Sequence, residues 1–287
     1  MLRNTFIHLP GVGPLRERSL WEHGIRDWDA FLVAAEEGRL PSSGLASAVP
    51  LIRQSQEAVR LGDAGFFKPL LPPPETWRLF GEFAERAVFL DIETTGLSPW
   101  CDEVTMIGTL AAGRPRLFIR GVNLEDFPDY VEQFPLLVTF NGSQFDVPFL
   151  RAHFPGARLD QPQIDLRFVL ASLGYRGGLK TVERSLGLSR DPAIQGVDGF
   201  EAVRLWRRWR RGDPEALRRL ALYNLTDVAN LVELLEAAVE RKCRLAGFPA
   251  EKAMLRPCPM LKPGAEILAA CIAECCQEDA ARKFRLA

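Results

Sequence analysis

Two carboxylates, Asp91 and Glu93, stand two residues apart in Val88-Phe89-Leu90-Asp91-Ile92-Glu93. In a strand, alternate side chains share a face, so both acids point the same way. The residues before them are continuously apolar, which places the strand inside a sheet. Two like charges on one buried face are costly unless a cation lies between them. The strand then runs into Thr94-Thr95-Gly96-Leu97, whose small residues and glycine let another backbone or a ligand come close. A third acid, Asp146, follows the apolar stretch Leu136–Phe140 and the polar turn Asn141-Gly142-Ser143-Gln144. It falls in the first turn of a helix, where the helix dipole favours an acid with or without further function. A fourth, Asp227, lies four residues after Tyr223, and on a helix that spacing puts both on one face.

The elements that must position these groups can be read from the hydrophobic pattern. Strands are expected at 88–93, 104–110, 116–119 and 136–140, with a turn at Gly113-Arg114-Pro115. Helices are expected at 145–153, 165–173, 179–186 and 200–210, and a long one from Pro214 to about 244. Strands first and helices after imply an α/β fold, a mixed central sheet flanked by helices. The sequence divides into a small all-α module at 1–40 and a connector with a short helix at 41–85. A catalytic domain at 86–242 and a C-terminal helical extension at 243–287 follow. In the first module, Leu15, Leu20 and Trp21 are expected on the apolar side of a helix.

The acids in the order Asp, Glu, Asp, Asp, with a tyrosine one turn before the last, resemble the DEDD superfamily of 3′–5′ exonucleases in its tyrosine subclass. The resemblance covers about half of the chain. It implies an RNase H-like fold and phosphodiester hydrolysis assisted by two divalent metal ions, Mg²⁺ or Mn²⁺. Asp91, Glu93 and Asp227 would hold metal, Asp146 would support the second ion directly or through water, and Tyr223 would orient the attacking water. The histidine subclass places a histidine five residues before the final acid; here that position is Leu222. The segment Gly178-Leu179-Lys180-Thr181-Val182-Glu183-Arg184-Ser185-Leu186-Gly187, with Leu205-Trp206 and Arg211-Gly212-Asp213, is similar to the YprB-like group of RNase H-like proteins.

Elementary chemistry agrees with these roles. Hard oxygen ligands suit Mg²⁺ or Mn²⁺ rather than zinc. Without metal, four converging carboxylates repel one another and raise at least one pKa. A phenol with a reference pKa of about 10 is a poor base at neutral pH, so Tyr223 positions water rather than removing its proton. Thr94, Asn141 and Phe145 are the substrate-side candidates. Asn141 reads equally well as a turn former bonded to its own backbone. Asp165 reads as a helix cap or a partner of the site rather than a ligand.

The remaining signals are weaker. Seven arginines between 204 and 219 surround Trp206 and Trp209. This is either a basic rim for a phosphate backbone or an amphipathic helix with its tryptophans in the core. Leu9-Pro10-Gly11-Val12-Gly13 resembles the hairpin of a helix-hairpin-helix module, in which Gly11, Gly13 and Arg16 would meet a phosphate. Pro14 departs from the usual residue there. Cys243, Cys258, Cys271, Cys275 and Cys276 cluster near the C-terminus without paired C-x-x-C spacing, which favours buried thiols over a metal centre.

With 47% hydrophobic and 25% charged residues the chain is not a disordered one, and its net charge of −1 excludes a uniformly basic nucleic-acid binder. No apolar run is long enough to span a bilayer and no export signal is seen, so a cytoplasmic protein without membrane partners is expected. The expected activity is metal-dependent 3′–5′ hydrolysis of single-stranded DNA or RNA ends. The alternatives are a catalytically silent nucleic-acid-binding scaffold and an RNase H-like endonuclease.

Overall fold

The computed structural model describes residues 1–248 and 263–286, with side chains in the last helix described through residue 277. Five strands form one sheet: β1 (Ala87–Thr94), β2 (Val104–Ala111), β3 (Arg114–Ile119), β4 (Leu136–Thr139) and β5 (Gln163–Asp165). Their order is β3-β2-β1-β4-β5. The β1–β2 and β2–β3 pairs are antiparallel, while β4 and β5 are parallel to β1 and to each other. The fold is therefore the mixed α/β sheet flanked by helices expected from the pattern. β1 is central because Val88, Phe89, Leu90 and Ile92 leave neither face polar enough for water.

Two local expectations shift. β3 begins at Arg114, not Arg116, so the turn lies at Ala112-Gly113, both with positive φ (48° and 74°). A two-residue loop of that hand matches the twist of the paired strands. β5 is only three residues long, too short to leave a periodic signal in the sequence.

The helices, in chain order, are α1 (Pro14–Glu22), α2 (Trp28–Glu36), α3 (Val49–Leu61), α4 (Phe80–Phe83), α5 (Phe127–Val131) and α6 (Asp146–His153). Then follow α7 (Leu166–Ala171), α8 (Leu179–Leu186), α9 (Gly199–Arg210), α10 (Pro214–Ala246) and α11 (Ala265–Leu286). No described helix is long and apolar enough to cross a membrane.

The long helix α10 carries the second half of the candidate site. Asp213 caps it by accepting from the Glu215 and Ala216 amides, Pro214 fills its first turn, and Gly247 ends it at φ 65°. At its middle, α10 crosses β1 and β2 closely. Gly108 on β2 stands opposite Asp91 on β1. A Cβ at Gly108 would fall 2.0 Å from Asn224 Oδ1 and 3.1 Å from Val228 Cγ2, so only glycine admits the helix here. Gly108→Ala is expected to push α10 off the sheet at about 1–3 kcal/mol, the usual cost of overpacking. A urea titration would show it, and an unchanged midpoint would contradict the close approach.

The N-terminal helices share one apolar core with the sheet. Phe6, Trp28, Phe31, Phe67 and Trp77 belong to the same buried cluster as Phe89, Val138, Leu231 and Leu235. Leu15 is a correction: it is 83% exposed, and the inward position of α1 is taken by Glu17. Glu17 is buried because its carboxylate accepts from the Phe6 and Ile7 amides and pairs with Arg78. On the far side, Leu268, Ile272 and Cys275 of α11 pack with Leu117 and Ile119 of the edge strand β3.

Candidate active site

Asp91 and Glu93 leave the C-terminal half of β1 on one face, as period-two geometry requires. The β1–β2 register slips between Glu93 and Thr94, a local bulge that ends regular pairing beside the acids. From the opposite side, the middle turns of α10 bring Tyr223 and Asp227. One oxygen each of Asp91, Glu93 and Asp227 lies within 4.8 Å of the others. Asn224, between the tyrosine and the last acid, donates from Nδ2 to Asp91 Oδ2 at 2.9 Å and to the Asp91 carbonyl at 3.3 Å. It thereby fixes the rotamer of Asp91 and ties α10 to β1.

Asp146 sits at the start of α6 and is buried. It is not among the three converging acids, but its charge reaches Asp91 and it accepts from the Ile92 amide. That amide lies beyond the end of the β1–β4 pairing, which stops at Phe89 and Val138. A short partner strand thus leaves a backbone donor for the third motif to use.

Burial is the main cause of every acid's upward shift. Asp91 and Glu93 are pushed well above the usual carboxylate range by desolvation, and next by the charge of Asp227. Burial pushes Asp146 up to about 7. Asp227 is pushed up to about 6 by burial, against the opposing pull of Arg190. Tyr223 is also driven far upward by burial and the neighbouring acids, so its phenol stays protonated.

These shifts have a consequence for metal-free stability. A folded-state pKa above the unfolded value means that the native state holds extra protons between the two. The stabilisation is full below the unfolded carboxylate pKa and is lost as pH rises through about 6 to 7. In a chelating buffer the melting temperature is expected to fall from about pH 5 to about pH 8. Mn²⁺ at the upper end should restore it, because binding replaces those protons. A flat chelated profile across this range would contradict the convergence of the acids.

Two cations complete the site. Lys180 on α8 donates from Nζ to the Tyr223 hydroxyl at 2.8 Å and to the Val197 carbonyl, and lies 4.5 Å from the tyrosine ring centroid. Arg190, just after α8, places Nη1 2.5 Å from Asp227 Oδ1. A cleft of about 760 Å³ opens over the acids, with Leu97, Phe145 and Phe200 among its apolar lining and Arg204 and Arg207 at its rim. Leu97 and Phe200 are 79% and 77% exposed where they line this cleft.

The other sequence candidates fall as follows. Thr94 and Phe145 line the cleft. The Thr94 hydroxyl donates to the Gly96 carbonyl and shapes the loop. Asn141 adopts a left-handed φ of 68°, and its side chain is engaged by Arg167, so it acts as a turn former. Asp165 accepts from the Asn141, Ser143 and Arg167 amides, capping α7 while it shapes the turn before Asp146. Trp206 and Trp209 are buried against each other at 4.7 Å, and the arginines of α9 are left on its solvent side.

In the N-terminal hairpin, Gly11 has φ 73° and Arg16 Nη1 donates to its carbonyl at 2.9 Å. Arg18 of the same helix reaches the Leu245 and Ala246 carbonyls at the far end of α10. Eighteen residues of helix separate Leu245 from Asp227, about 27 Å at 1.5 Å per residue. The described cysteines are free thiols, and Cys258 lies outside the described residues.

Asn224, Lys180, Glu183 and Arg190 were not among the sequence candidates. Asn224 carried a usable signal: it is a polar residue on the inward side of an otherwise apolar helix, one step from Tyr223. Lys180 and Glu183 lie in the segment similar to the YprB-like group, and Arg190 lies between the helices expected at 179–186 and 200–210.

The donor set suits a hard divalent ion. Oxygens bound to one such ion at about 2.1–2.4 Å can be at most about 4.8 Å apart, which the three acids satisfy. Asp227 Oδ1 moreover has no well-directed hydrogen bond despite being buried. Among the described residues this is the one acidic, cysteine or histidine group with such spacing.

The family model described as RNase_H superfamily matches residues 88–239, just over half of the chain. An uncharacterized protein of Methanocaldococcus jannaschii is 30% identical over 166 residues, covering 53% of this chain and 94% of that protein. Among solved structures, the family B DNA polymerase of the hyperthermophilic archaeon Pyrobaculum calidifontis is similar at 20% identity with a TM-score of 0.43. That similarity covers 55% of this chain and 24% of the polymerase chain, so this chain spans about a quarter of that protein's length.

Proposed function

The chain belongs to the RNase H superfamily, and we propose that within it the protein is a metal-dependent 3′–5′ exonuclease of the DEDD tyrosine type, acting on single-stranded nucleic-acid ends. The observation that carries this reading is the convergence of Asp91, Glu93 and Asp227 within 4.8 Å beneath Tyr223, at the floor of an open cleft.

In this reading Asp91, Glu93 and Asp227 would hold one divalent ion, and Asp146 would support a second beside Asp91. Ions of the Mg²⁺ or Mn²⁺ class would supply charge neutralisation and alignment for an in-line displacement at phosphorus. The protein's own groups do the rest. Lys180 donates to the Tyr223 oxygen, which leaves the phenolic O–H free to hold the attacking water. Glu93 stands beside that water and can accept a hydrogen bond from it, and the proton leaves to solvent through the open cleft. The exposed Leu97 and Phe200 give a terminal base an apolar surface to lie against, and Arg204 and Arg207 meet its phosphates. Cleavage at an end rests on the resemblance of the four acids and Tyr223 to 3′–5′ exonucleases. The exonuclease unit corresponds to residues 86–242.

The test uses a 3′-labelled and a 5′-labelled oligonucleotide beside a circular single strand, in DNA and in RNA, with Mn²⁺ or Mg²⁺. Stepwise loss from the 3′ end with an intact circle is the expected result. Cutting of the circle would replace the proposal with an endonuclease. No metal-dependent cleavage of any substrate would replace it with a binding or scaffold role.

A further inference from the structure

Arg190 is held in a way that the acid motifs do not explain. Its Nε and Nη2 form a fork on Glu183, each at 2.7 Å. Glu183 is itself buried and receives a third hydrogen bond from Asn230 Nδ2 at 2.8 Å. That fork fixes the plane of the guanidinium and leaves Nη1 to project at Asp227 Oδ1, 2.5 Å away. Yet this last contact is off-axis: neither Nη1 nor Oδ1 has a directed hydrogen bond. The fork to Glu183 is a well-made bidentate pair, whereas the contact to Asp227 is one of charge alone.

Among the described residues, no other basic side chain forms an ion pair with Asp91, Glu93, Asp146 or Asp227. Lys180 is committed to Tyr223 and Val197. Arg190 therefore stands where a cation is wanted, on the oxygen of Asp227 that is otherwise unserved. A divalent ion bound by Asp227 at about 2.1 Å would lie within a few ångströms of the guanidinium charge, and the two cations repel each other in this buried setting. The seven-residue span from Glu183 to Arg190 keeps the displaced guanidinium nearby, since the fork survives when Nη1 leaves.

We propose that Arg190, anchored by Glu183, is a built-in countercation that competes with a divalent ion for Asp227, so that the acidic cup fills in two unequal steps. The inference rests on the reading of the cup as a divalent-metal site. The ion held by Asp91, Glu93 and Asp227 is opposed by Nη1 and becomes the weaker of the two, while among the described residues the Asp91 and Asp146 position has no such countercation. An incoming phosphate helps to move Nη1 away by offering the freed guanidinium an anion.

The test is Mn²⁺ binding to the full chain, measured by calorimetry and by electron paramagnetic resonance, without substrate or turnover. The wild type is expected to show two classes of site at least tenfold apart in affinity. Arg190→Met alone would leave Glu183 buried and unpaired, so the charge is removed in the Glu183→Gln/Arg190→Met double variant. Its weaker site is expected to tighten by on the order of tenfold, a conservative effect for one close charge pair. Arg190→Lys retains a charge opposite Glu183 but cannot fork and reach Asp227 together, so it should tighten the weaker site as well. Circular dichroism melts establish that each variant is folded. An unchanged or weakened second site in the folded variants would overturn the proposal and make Arg190 a support for Asp227 instead. Absence of Mn²⁺ uptake by the wild type would overturn the metal cup itself, and this inference with it.

Discussion

Asp91→Asn and Asp227→Asn are each expected to lower metal-dependent degradation of a 3′-labelled strand by on the order of 10³-fold or more. A metal ion at a phosphoryl centre is worth several kcal/mol of charge stabilisation, and about 1.4 kcal/mol corresponds to tenfold in rate. Asparagine keeps the shape of the carboxylate and removes only its charge, so the sheet and α10 should stay in place. The two substitutions are not equivalent in the metal-free protein. Asp91 is pinned by Asn224 at 2.9 Å and Asp227 is paired with Arg190 at 2.5 Å. Asp227→Asn leaves Arg190 facing a neutral amide, while Asp91→Asn relieves repulsion among the acids. The chelated melting temperature should therefore rise for Asp91→Asn, even as turnover collapses. Turnover within tenfold of wild type in either variant would show that the acids do not perform the chemistry.

The largest stability effect is expected far from the cup, at Arg78. Its side chain is 2% exposed and that of Glu17 is 1% exposed, with Nη2 2.8 Å from Oε2. Nη1 donates to Glu17 Oε1 and to the Thr5 hydroxyl, each at 3.1 Å, and Nε to Glu75 at 2.8 Å. Glu75 in turn pairs with Lys242 near the end of α10. The guanidinium also lies over the rings of Trp77 and Phe248, at 5.1 and 5.4 Å from their centroids. One residue thus joins the N-terminal segment, the 3-10 turn at Pro73–Leu79 and the long helix. Removing one partner of a buried pair strands the other, at about 3–5 kcal/mol. Arg78→Met should cost that much by urea denaturation, while Glu17→Leu/Arg78→Met should recover part of it, because the stranded charge is gone. A loss under 1 kcal/mol for the single variant would show that water reaches the pair.

The parts of this protein that were legible in its sequence are those in which local pattern and chemistry coincide. β1 announced itself because a central strand has no polar face, and its two acids stood out against that apolar background. α10 is legible from Pro214 at its start and from its helical period, whereas the cap at Asp213 emerges only in the structure. Asp165 was readable as a cap because a short acid before a helix has few other uses. What escaped notice depended on partners distant in the chain. Glu17 lies between two arginines in Arg16-Glu17-Arg18 with nothing local to mark it as buried, and only Arg78, 61 residues later, makes its burial tolerable. Leu15 was assigned inward for the same reason, since nothing local shows that a charge takes the buried position. Gly108 reads as an ordinary strand glycine until Asn224 is seen pressing against it, 116 residues on. Arg190 sits in Ser189-Arg190-Asp191-Pro192, a loop by every local criterion, and acquires meaning only through Glu183 and Asp227.

The most direct test of the central claim is anomalous diffraction from crystals of the wild-type protein soaked in Mn²⁺. At least one anomalous peak should lie within bonding distance of Asp91 and Asp227 together, and it should vanish in Asp227→Asn crystals. Well-ordered crystals with no manganese among these side chains, from protein that still degrades 3′ ends, would contradict the account.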